Sequence, residues 1–259
     1  MDALDERLIR VSGAGVRREH GELRRYCHLG TGNYHVSTAR LYTDYGLLTA
    51  DRELGEDVHD IFMQLTGLAR TPMLRRALQS PFTLHEGMLT KIAREAEHAR
   101  AGRAGHIIAK MNSLLEPQVI AALYDASRAG VQVDLIVRGI CALRPGVPGL
   151  SENISVRSIV GRFLEHTRVF YFHNDGAEEL FLSSADWMER NLFHRVEACF
   201  PVLDPEHARR IVDDLELYLE DNAQAWTLHG DGTYRRAATG EATSVSAQQK
   251  LLERYALKD

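Results

Sequence analysis

The chain has 259 residues, of which 44% are hydrophobic and 26% charged, a composition typical of a globular protein with one large or two modest domains. Lysine and arginine (31) are outnumbered by aspartate and glutamate (36), and the net charge of −5 argues against a generally basic nucleic-acid-binding protein. No apolar run reaches the length of a membrane span, and the first residues lack the apolar core of a signal peptide. The three widely spaced cysteines, Cys27, Cys141 and Cys199, favour a reducing compartment, the cytoplasm.

The first third of the chain predicts strands followed by a helix. β-forming residues alternate over 23–29 and again over 40–49, and the turn Gly30-Thr31-Gly32-Asn33 lies between them. Apolar residues at helical spacing predict a helix over 51–65. Residues 66–81, which contain one glycine and two prolines, are the best candidate for a domain boundary.

Helices and strands alternate along the rest of the chain. Helices are predicted around 89–96, over 117–129, from Asp204 onward and from Ser246 onward. The predicted strands cover 106–111, 131–137, 154–160, 169–172, 180–183 and 196–202. This order predicts an α/β (α+β) fold with a mixed β-sheet flanked by helices.

Two segments are candidates for binding an anion. His28 precedes Gly30-Thr31-Gly32-Asn33, where glycines allow close backbone approach and Thr31 and Asn33 supply hydrogen-bond donors. A plain hairpin turn is the alternative. Arg138 ends an apolar strand, the end at which α/β sheets bind ligands, and a guanidinium there suits phosphate. The alternative is a surface arginine that ends a strand.

A third and a fourth candidate follow later in the chain. His166 lies just before an aromatic strand and beside Arg168, so it could act as an acid, a base or a phosphate ligand, although a structural histidine is more common. Ser183-Ser184-Ala185-Asp186 follows the next strand and could line an anion pocket or cap the following segment. Together with the His28 segment, these residues resemble two halves of a phosphate pocket with a histidine in each half.

Other chemistries find less support in the sequence. The histidines show no metal-ligand spacing, and neither a P-loop nor a nucleophile elbow is present. Tyr42 and its neighbours could stack on a base, but a half-buried strand explains them as well. The residues alone therefore favour phosphoryl chemistry over acyl or redox chemistry.

Longer stretches resemble the polyphosphate kinases of the phospholipase-D-like class. The stretches are HLGTGNYH (28–35), TARLYTDYGLLT (38–49), LIVRGICALRP (135–145), SIVGRFLEH (158–166) and SSADWMERN (183–191). The resemblance runs from about Arg17 to near the C-terminus. It implies a phospholipase-D-like fold and reversible transfer of the ATP γ-phosphate to inorganic polyphosphate, through a phosphohistidine and with Mg²⁺.

The resemblance also implies roles for individual residues. Tyr42 matches an ATP-contacting tyrosine and Arg138 a phosphate-binding arginine. His166 matches the second active-site histidine, which binds nucleotide phosphates and could donate a proton to the leaving group. His28 opens the motif that contains Gly30, Thr31, Gly32 and Asn33, and its expected role is to form the pocket.

One family motif has no counterpart here. The nucleophilic histidine of the family belongs to a His-x-Lys motif expected near residues 8–15, where this chain has neither histidine nor lysine. The magnesium-associated arginines and two N-terminal domains of the family are also expected outside this chain. Residues 1–70 are therefore interpreted as a remnant of the first phospholipase-D-like catalytic domain, with 1–15 unmatched, and 78–259 as a complete second one.

Several functional hypotheses follow from that organisation. The chain contributes half of an ATP-dependent phosphotransferase site, or it is a module that binds polyphosphate or nucleotide without turnover. It is expected to form homo-oligomers or to pair with an intact kinase subunit or an N-terminal fragment, and the family suggests peripheral association with membranes. A phospholipase-D-type nuclease or phospholipase is disfavoured, because those enzymes use paired His-x-Lys motifs.

Overall fold

The computed structural model describes residues 12–32, 35–67, 73–237 and 243–256. Its N-terminal part forms a small antiparallel sheet in the order β1-β2-β4, in which β1 is Ser12–Glu19, β2 is Glu22–Gly30 and β4 is Gly46–Thr49. The strand predicted over 23–29 is confirmed as β2. In a short parallel pairing, β3 (Tyr42–Thr43) joins β9 (Leu164–Glu165).

The continuous strand predicted over 40–49 is wrong. Residues 36–41 are turns, and residues 42–49 divide between β3 and β4, which belong to different sheets. The local alternation of β-forming residues could not reveal this division, because the partner of Tyr42 is Leu164, far along the chain. Non-local pairing of this kind regularly overrides local strand propensity.

The C-terminal part is built on a mixed sheet, as predicted. In the described residues this sheet has nine strands, in the order β14-β13-β8-β7-β6-β10-β11-β12-β5, with β6, β7 and β8 parallel and the other pairs antiparallel. The strand bounds are Leu78–Ser80 (β5), His106–Met111 (β6), Gln132–Val137 (β7), Ile154–Ile159 (β8), Arg168–Phe172 (β10), Glu179–Ser183 (β11), Glu197–Pro201 (β12), Ala225–Leu228 (β13) and Tyr234–Arg236 (β14). Strands β5, β13 and β14, short and at or near the sheet edges, escaped prediction.

Capping residues mark the ends of several helices, whereas α4 was not predicted. They are Arg52–Leu65 (α1), Leu84–Arg100 (α2), Pro117–Ala129 (α3), Glu189–Phe193 (α4), Pro205–Glu220 (α5) and Ala247–Tyr255 (α6), and a 3₁₀ turn covers Asn174–Gly176. Gly130 ends α3 in the left-handed conformation (φ 101°), and the side chain of Ser246 accepts a hydrogen bond from the backbone N–H of Gln249 at the start of α6.

Two hydrophobic cores cover the two faces of the large sheet. Alternate residues of β6 divide between them: Ile107 and Ala109 face α2 and α3, whereas Ile108 faces the core that contains residues of α5, α1 and β2. Because the second core is shared, the small sheet and the large sheet pack as neighbours. No helix in the described ranges is both long enough and apolar enough to cross a membrane. All three cysteines are unpaired.

A buried carboxylate joins α1 to the segment that leads into β5. Asp57 is fully buried, and its oxygens accept hydrogen bonds from the backbone N–H groups of Arg75 (2.9 Å), Arg76 (2.8 Å) and Ala77 (2.8 Å). Buried N–H donors that lose their acceptor destabilise the folded state. Asp57 therefore holds the start of the large-sheet region against α1.

The substitution Asp57→Ala is expected to lower the free energy of unfolding by roughly 3 kcal/mol, because it removes the acceptor of three backbone N–H donors, of which that of Ala77 makes a buried hydrogen bond. Asp60→Ala is the matched control on the same helix, since Asp60 is 38% exposed and makes only a 3.7 Å ion pair with Arg75. That control is expected to cost less than about 1 kcal/mol. Urea unfolding measures both, and equal losses would contradict the anchoring role.

Candidate phosphate-binding site

One edge of the large sheet collects the polar residues. Parallel strands β6 and β7 end there with Asn112 and Arg138 following them, and β11 ends there before Ser184 and Asp186. The antiparallel strand β10 begins at the same edge with Arg168, two residues after His166. The carboxyl ends of parallel strands are where α/β sheets bind ligands. Four segments distant in sequence thus meet at one place.

These residues line a polar cavity of about 270 Å³. The cavity includes four arginines and one histidine, so it is a local concentration of positive charge in a protein with a net charge of −5. Its lining residues are Thr31, Asn112, Ser113, Arg138, His166, Arg168, Ser184, Asp186, Arg190, Asn191, Arg195, Val196 and Glu197.

Arg168 and Asp186 form a bidentate ion pair in the cavity wall. Arg168 Nε and Nη2 lie 3.2 and 2.9 Å from the two carboxylate oxygens of Asp186, and both residues are buried. Burial by itself would raise the pKa of Asp186, but the Arg168 guanidinium and hydrogen bonds from Asn112 hold it below its ordinary value. Asp186 therefore stays ionised and fixes the arginine.

His166 is oriented by Asp44. Its Nδ1 lies 2.9 Å from Asp44 Oδ1, and because a carboxylate accepts hydrogen bonds, this contact assigns the proton to Nδ1. Arg168 Nη1 lies 3.2 Å from Nε2 and donates to the backbone carbonyl of His166 at 3.0 Å. The histidine is thus held on both sides, with Nε2 next to a guanidinium in a polar cavity.

Thr31 and Gly32 of the glycine-rich turn position the Asp44 carboxylate. Thr31 Oγ1 donates to Asp44 Oδ1 at 2.9 Å, and a Cβ on Gly32 would lie only 2.1 Å from Asp44 Oδ2. Only glycine at position 32 therefore leaves room for the carboxylate. Thr31 also lines the cavity, and its carbonyl accepts from Arg168 Nη1 at 3.3 Å.

Arg138 lines the polar cavity, and Tyr42 lies beside His166. Arg138 Nε donates to Asn112 Oδ1 at 2.5 Å, and its half-buried guanidinium reaches the cavity wall. Burial lowers the pKa of Arg138 below its usual range, and nearby Asp186 opposes that effect. The Tyr42 ring lies 4.9 Å from the His166 ring, and Tyr42 also lines an apolar cavity of about 560 Å³.

The structure does not bring His28 to this cavity. His28 lies within β2, opposite Gly13 and Leu48, three residues from Thr31, which is roughly 10 Å along a strand. The expected pocket with a histidine on each side is thus not seen among the described residues, and a role for His28 stays a prediction. Gly30 ends β2 opposite Gly46, and Asn33 lies outside the described residues.

Sequence reasoning missed several residues of the site. The sequence points to Asp44 only as a neighbour of Tyr42 within the stretch 38–49, and it does not point to Asn112. Glu197 was not considered: its buried carboxylate accepts from Ser184 Oγ at 2.6 Å and Asn191 Nδ2 at 2.8 Å, and burial raises its pKa. A polar residue directly after a buried strand was the available signal for Asn112. Arg190 and Arg195 do not directly follow a buried strand, so their place in the site could not be predicted in this way.

The residues described here do not suit a resident Mg²⁺ ion. Among them, no three histidine, cysteine, aspartate or glutamate side chains cluster in a way that could hold a metal ion. Asp186 is engaged by Arg168 and Asn112, and Glu197 by Ser184 and Asn191. We therefore derive no step through a metal.

Two family models match most of the length of the chain. The sequence profile "Polyphosphate kinase C-terminal domain 2" matches residues 78–248, and "Polyphosphate kinase C-terminal domain 1" matches residues 13–71. The chain belongs to the polyphosphate kinase family. The two matched ranges are separated by residues 72–77, within the segment predicted as a boundary.

Individual relatives support the same assignment. The polyphosphate kinases of Burkholderia cenocepacia (strain HI2424) and Pseudomonas aeruginosa (strain PAO1) are 59% identical over 241 residues and 58% identical over 242 residues. Each alignment covers 93% of this chain and 35% of the relative. The crystal structure of polyphosphate kinase from Porphyromonas gingivalis superimposes with a TM-score of 0.87 at 39% identity, covering 93% of this chain and 38% of that one. The chain thus spans about a third of the length of these family members.

Gly32→Ala is expected to weaken binding of tripolyphosphate about tenfold or more, because the new methyl group displaces Asp44 and one charge-assisted hydrogen bond to His166 is lost. Gly13→Ala is the matched control, since a Cβ there meets nothing within 4 Å. Isothermal titration calorimetry compares the two variants with the wild type. Wild-type affinity in Gly32→Ala would contradict the role given to the loop.

Asp186→Asn is expected to destabilise the protein in a pH-dependent way. Because the folded-state pKa of Asp186 is depressed, its contribution is complete above the unfolded-state value of about 3.9 and is lost as pH falls through the folded-state value. The gap in unfolding free energy between wild type and variant should therefore be constant from about pH 7 to 5 and narrow below about pH 4. Urea unfolding at a series of pH values measures it, and a gap that stays constant at acid pH would contradict the ion pair's role.

Proposed function

We propose that this chain forms the phosphate-binding part of a polyphosphate kinase active site, which transfers the ATP γ-phosphate reversibly to inorganic polyphosphate. The observation that carries the proposal is the cavity in which His166, oriented by Asp44, lies beside Arg138 and Arg168. Phosphoryl transfer depends on positioning and on neutralising charge at the phosphate oxygens, and fixed arginines and a histidine supply both.

The residues divide that work by their positions. The Arg138 guanidinium faces bound phosphate, whereas Arg168 is committed to Asp186 and adds a fixed positive charge behind it. Nε2 of His166, when protonated, donates a hydrogen bond to the phosphate oxygen on which charge develops as the bond to the γ-phosphorus breaks. The group that accepts the phosphoryl group, a histidine by family resemblance, belongs to sequence outside this chain.

The two cavities beside Tyr42 suit a nucleotide. Tyr42 lines the apolar cavity together with Tyr45, Phe163 and Tyr218, and its ring lies 4.9 Å from that of His166, which lines the polar cavity. Nucleobases stack on aromatic rings, and phosphates bind arginine. ATP with its base beside Tyr42 and its phosphates beside Arg138 satisfies both surfaces.

A binding module without turnover is the second candidate. The observation that favours it lies in the sequence, where none of the twelve histidines is followed two residues later by lysine. Under this hypothesis the chain holds polyphosphate or nucleotide, or pairs with an intact kinase subunit or an N-terminal fragment. We place the protein in the cytoplasm under either hypothesis, and Mg²⁺ remains an expectation from the family.

Titration with ATP and with tripolyphosphate tests phosphate binding. Arg138→Met is expected to weaken both affinities by about 10- to 100-fold, the equivalent of one charge-assisted hydrogen bond worth roughly 1.5–3 kcal/mol. Arg128→Met is the control, because that arginine is 57% exposed and pairs with Asp125 on its own helix. Absence of binding by the wild type would overturn both candidate functions.

Incubation with γ-labelled ATP and magnesium separates the two candidates. The isolated chain is expected to acquire no stoichiometric acid-labile label, since the nucleophilic motif lies outside it. Adding a fragment of a related kinase that contains that motif is expected to restore labelling and polyphosphate synthesis under the first hypothesis. Continued absence of transfer with intact binding would favour the module.

A further inference from the structure

Lys110 is a buried lysine that does not line the phosphate-binding cavity. It lies near the end of β6 and is 1% exposed. Its Nζ lies 2.9 Å from Glu165 Oε2, donates to Thr167 Oγ1 and sits 4.9 Å from the centre of the Tyr218 ring. Burial lowers the pKa of Lys110, and the Glu165 carboxylate opposes that shift. A buried ion pair is weak evidence for stability, so its placement calls for another explanation.

The two partners of Lys110 are the residues on either side of His166. Side chains alternate across an extended chain, so those of Glu165 and Thr167 project to the face opposite His166. Lys110 contacts both side chains on that opposite face, while His166 lines the cavity. One ammonium group thus bonds to the side chains of the residues directly before and directly after the histidine.

Glu165 also bonds to β3, the strand that directly precedes Asp44. Thr43 Oγ1 donates to Glu165 Oε2 at 3.0 Å, and the backbone N–H of His166 donates to Thr43 Oγ1 at 3.2 Å. From α6, Gln248 Nε2 donates to the other oxygen of Glu165 at 2.6 Å. Burial alone would raise the pKa of Glu165, but Lys110 and hydrogen bonds from Gln248 and Tyr218 hold it below its ordinary value.

This tie matters because β3 and β9 pair over only two residues, Tyr42 with Leu164 and Thr43 with Glu165. Asp44 follows β3 directly and His166 follows β9 directly. Side-chain bonds must therefore supply the register that so short a strand pairing leaves weak. The contact between His166 and Asp44 depends on that register.

We propose that Lys110 is a positioning residue for His166, which acts through Glu165 and Thr167 to hold the imidazole against Asp44. It touches neither the cavity nor any bound phosphate. The consequence for ligand affinity rests on the proposed function, whereas the consequence for the His166–Asp44 hydrogen bond does not.

The experiment compares Lys110→Met with Lys91→Met in the full chain. Lys91 is a matched control, because its Nζ also pairs with a glutamate (Glu179, 3.0 Å) and lies over an aromatic ring (Phe181, 4.4 Å). The first readout is the exchange-protected Nδ1 proton of His166 in ¹⁵N–¹H NMR spectra, assigned by its loss in His166→Asn. The second is the affinity for tripolyphosphate.

Lys110→Met is expected to lose the protected proton and to bind tripolyphosphate about tenfold more weakly, a shift that one misplaced charge-assisted contact produces. Lys91→Met is expected to keep both properties of the wild type. If Lys110→Met does not fold, the double variant Lys110→Met/Glu165→Gln, which leaves no unpaired buried charge, is expected to fold and still lack the protected proton.

Retention of the protected proton in either folded Lys110 variant would overturn the proposal and leave Lys110 a merely structural partner of Glu165. Loss of the proton in Lys91→Met as well would overturn it too, since any buried lysine would then have the same effect. Failure of the wild type to bind tripolyphosphate would count against the proposed function alone, because the NMR readout still decides the role of Lys110.

Discussion

The site depends on the contact between the Asp44 carboxylate and Nδ1 of His166, 2.9 Å apart and 122 residues apart in the chain. A carboxylate this close selects one tautomer of the imidazole and fixes the plane of its ring. Gly32 leaves the space that the carboxylate occupies, and Thr31 donates to it. Since Asp44 belongs to the range matched by the first family profile and His166 to the range matched by the second, this contact also joins the two family regions.

A polar edge of this kind needs its charges paired, because an isolated buried ion is far too costly. Asp186 neutralises Arg168, which forms part of the cavity wall, while Arg138 lines the same cavity without a carboxylate partner among the described contacts. Behind the wall, the pair formed by Lys110 and Glu165 lies on the face covered by Tyr218. The arrangement explains how a chain with a net charge of −5 concentrates arginines in one cavity.

Prediction from sequence succeeded where the signal was local. Apolar periodicity and the capping residues Asp51 and Asp204 located α1 and α5, and alternation located β6. It failed at residues 40–49, where turns and two short strands replace one strand, because the partner of β3 is β9. In the site, strand-end position and family resemblance pointed to Arg138 and His166. Asp44 and Lys110 were not identified, because the role of each depends on a residue far along the chain, and Glu197 was not identified although its partners Ser184 and Asn191 lie within 13 residues.

The sequence by itself determined the α/β class, most of the helices and central strands, and the presence of phosphate-binding residue types, because these follow from periodicity, capping and composition. Only the tertiary structure decided which of those residues meet. It brought His166 to Asp44 and Arg168 to Asp186, and it left His28 within β2, away from the cavity. The physical reason is that sheet order and register set the positions of strand ends, and both are chosen by packing over the whole domain rather than by any local run of residues.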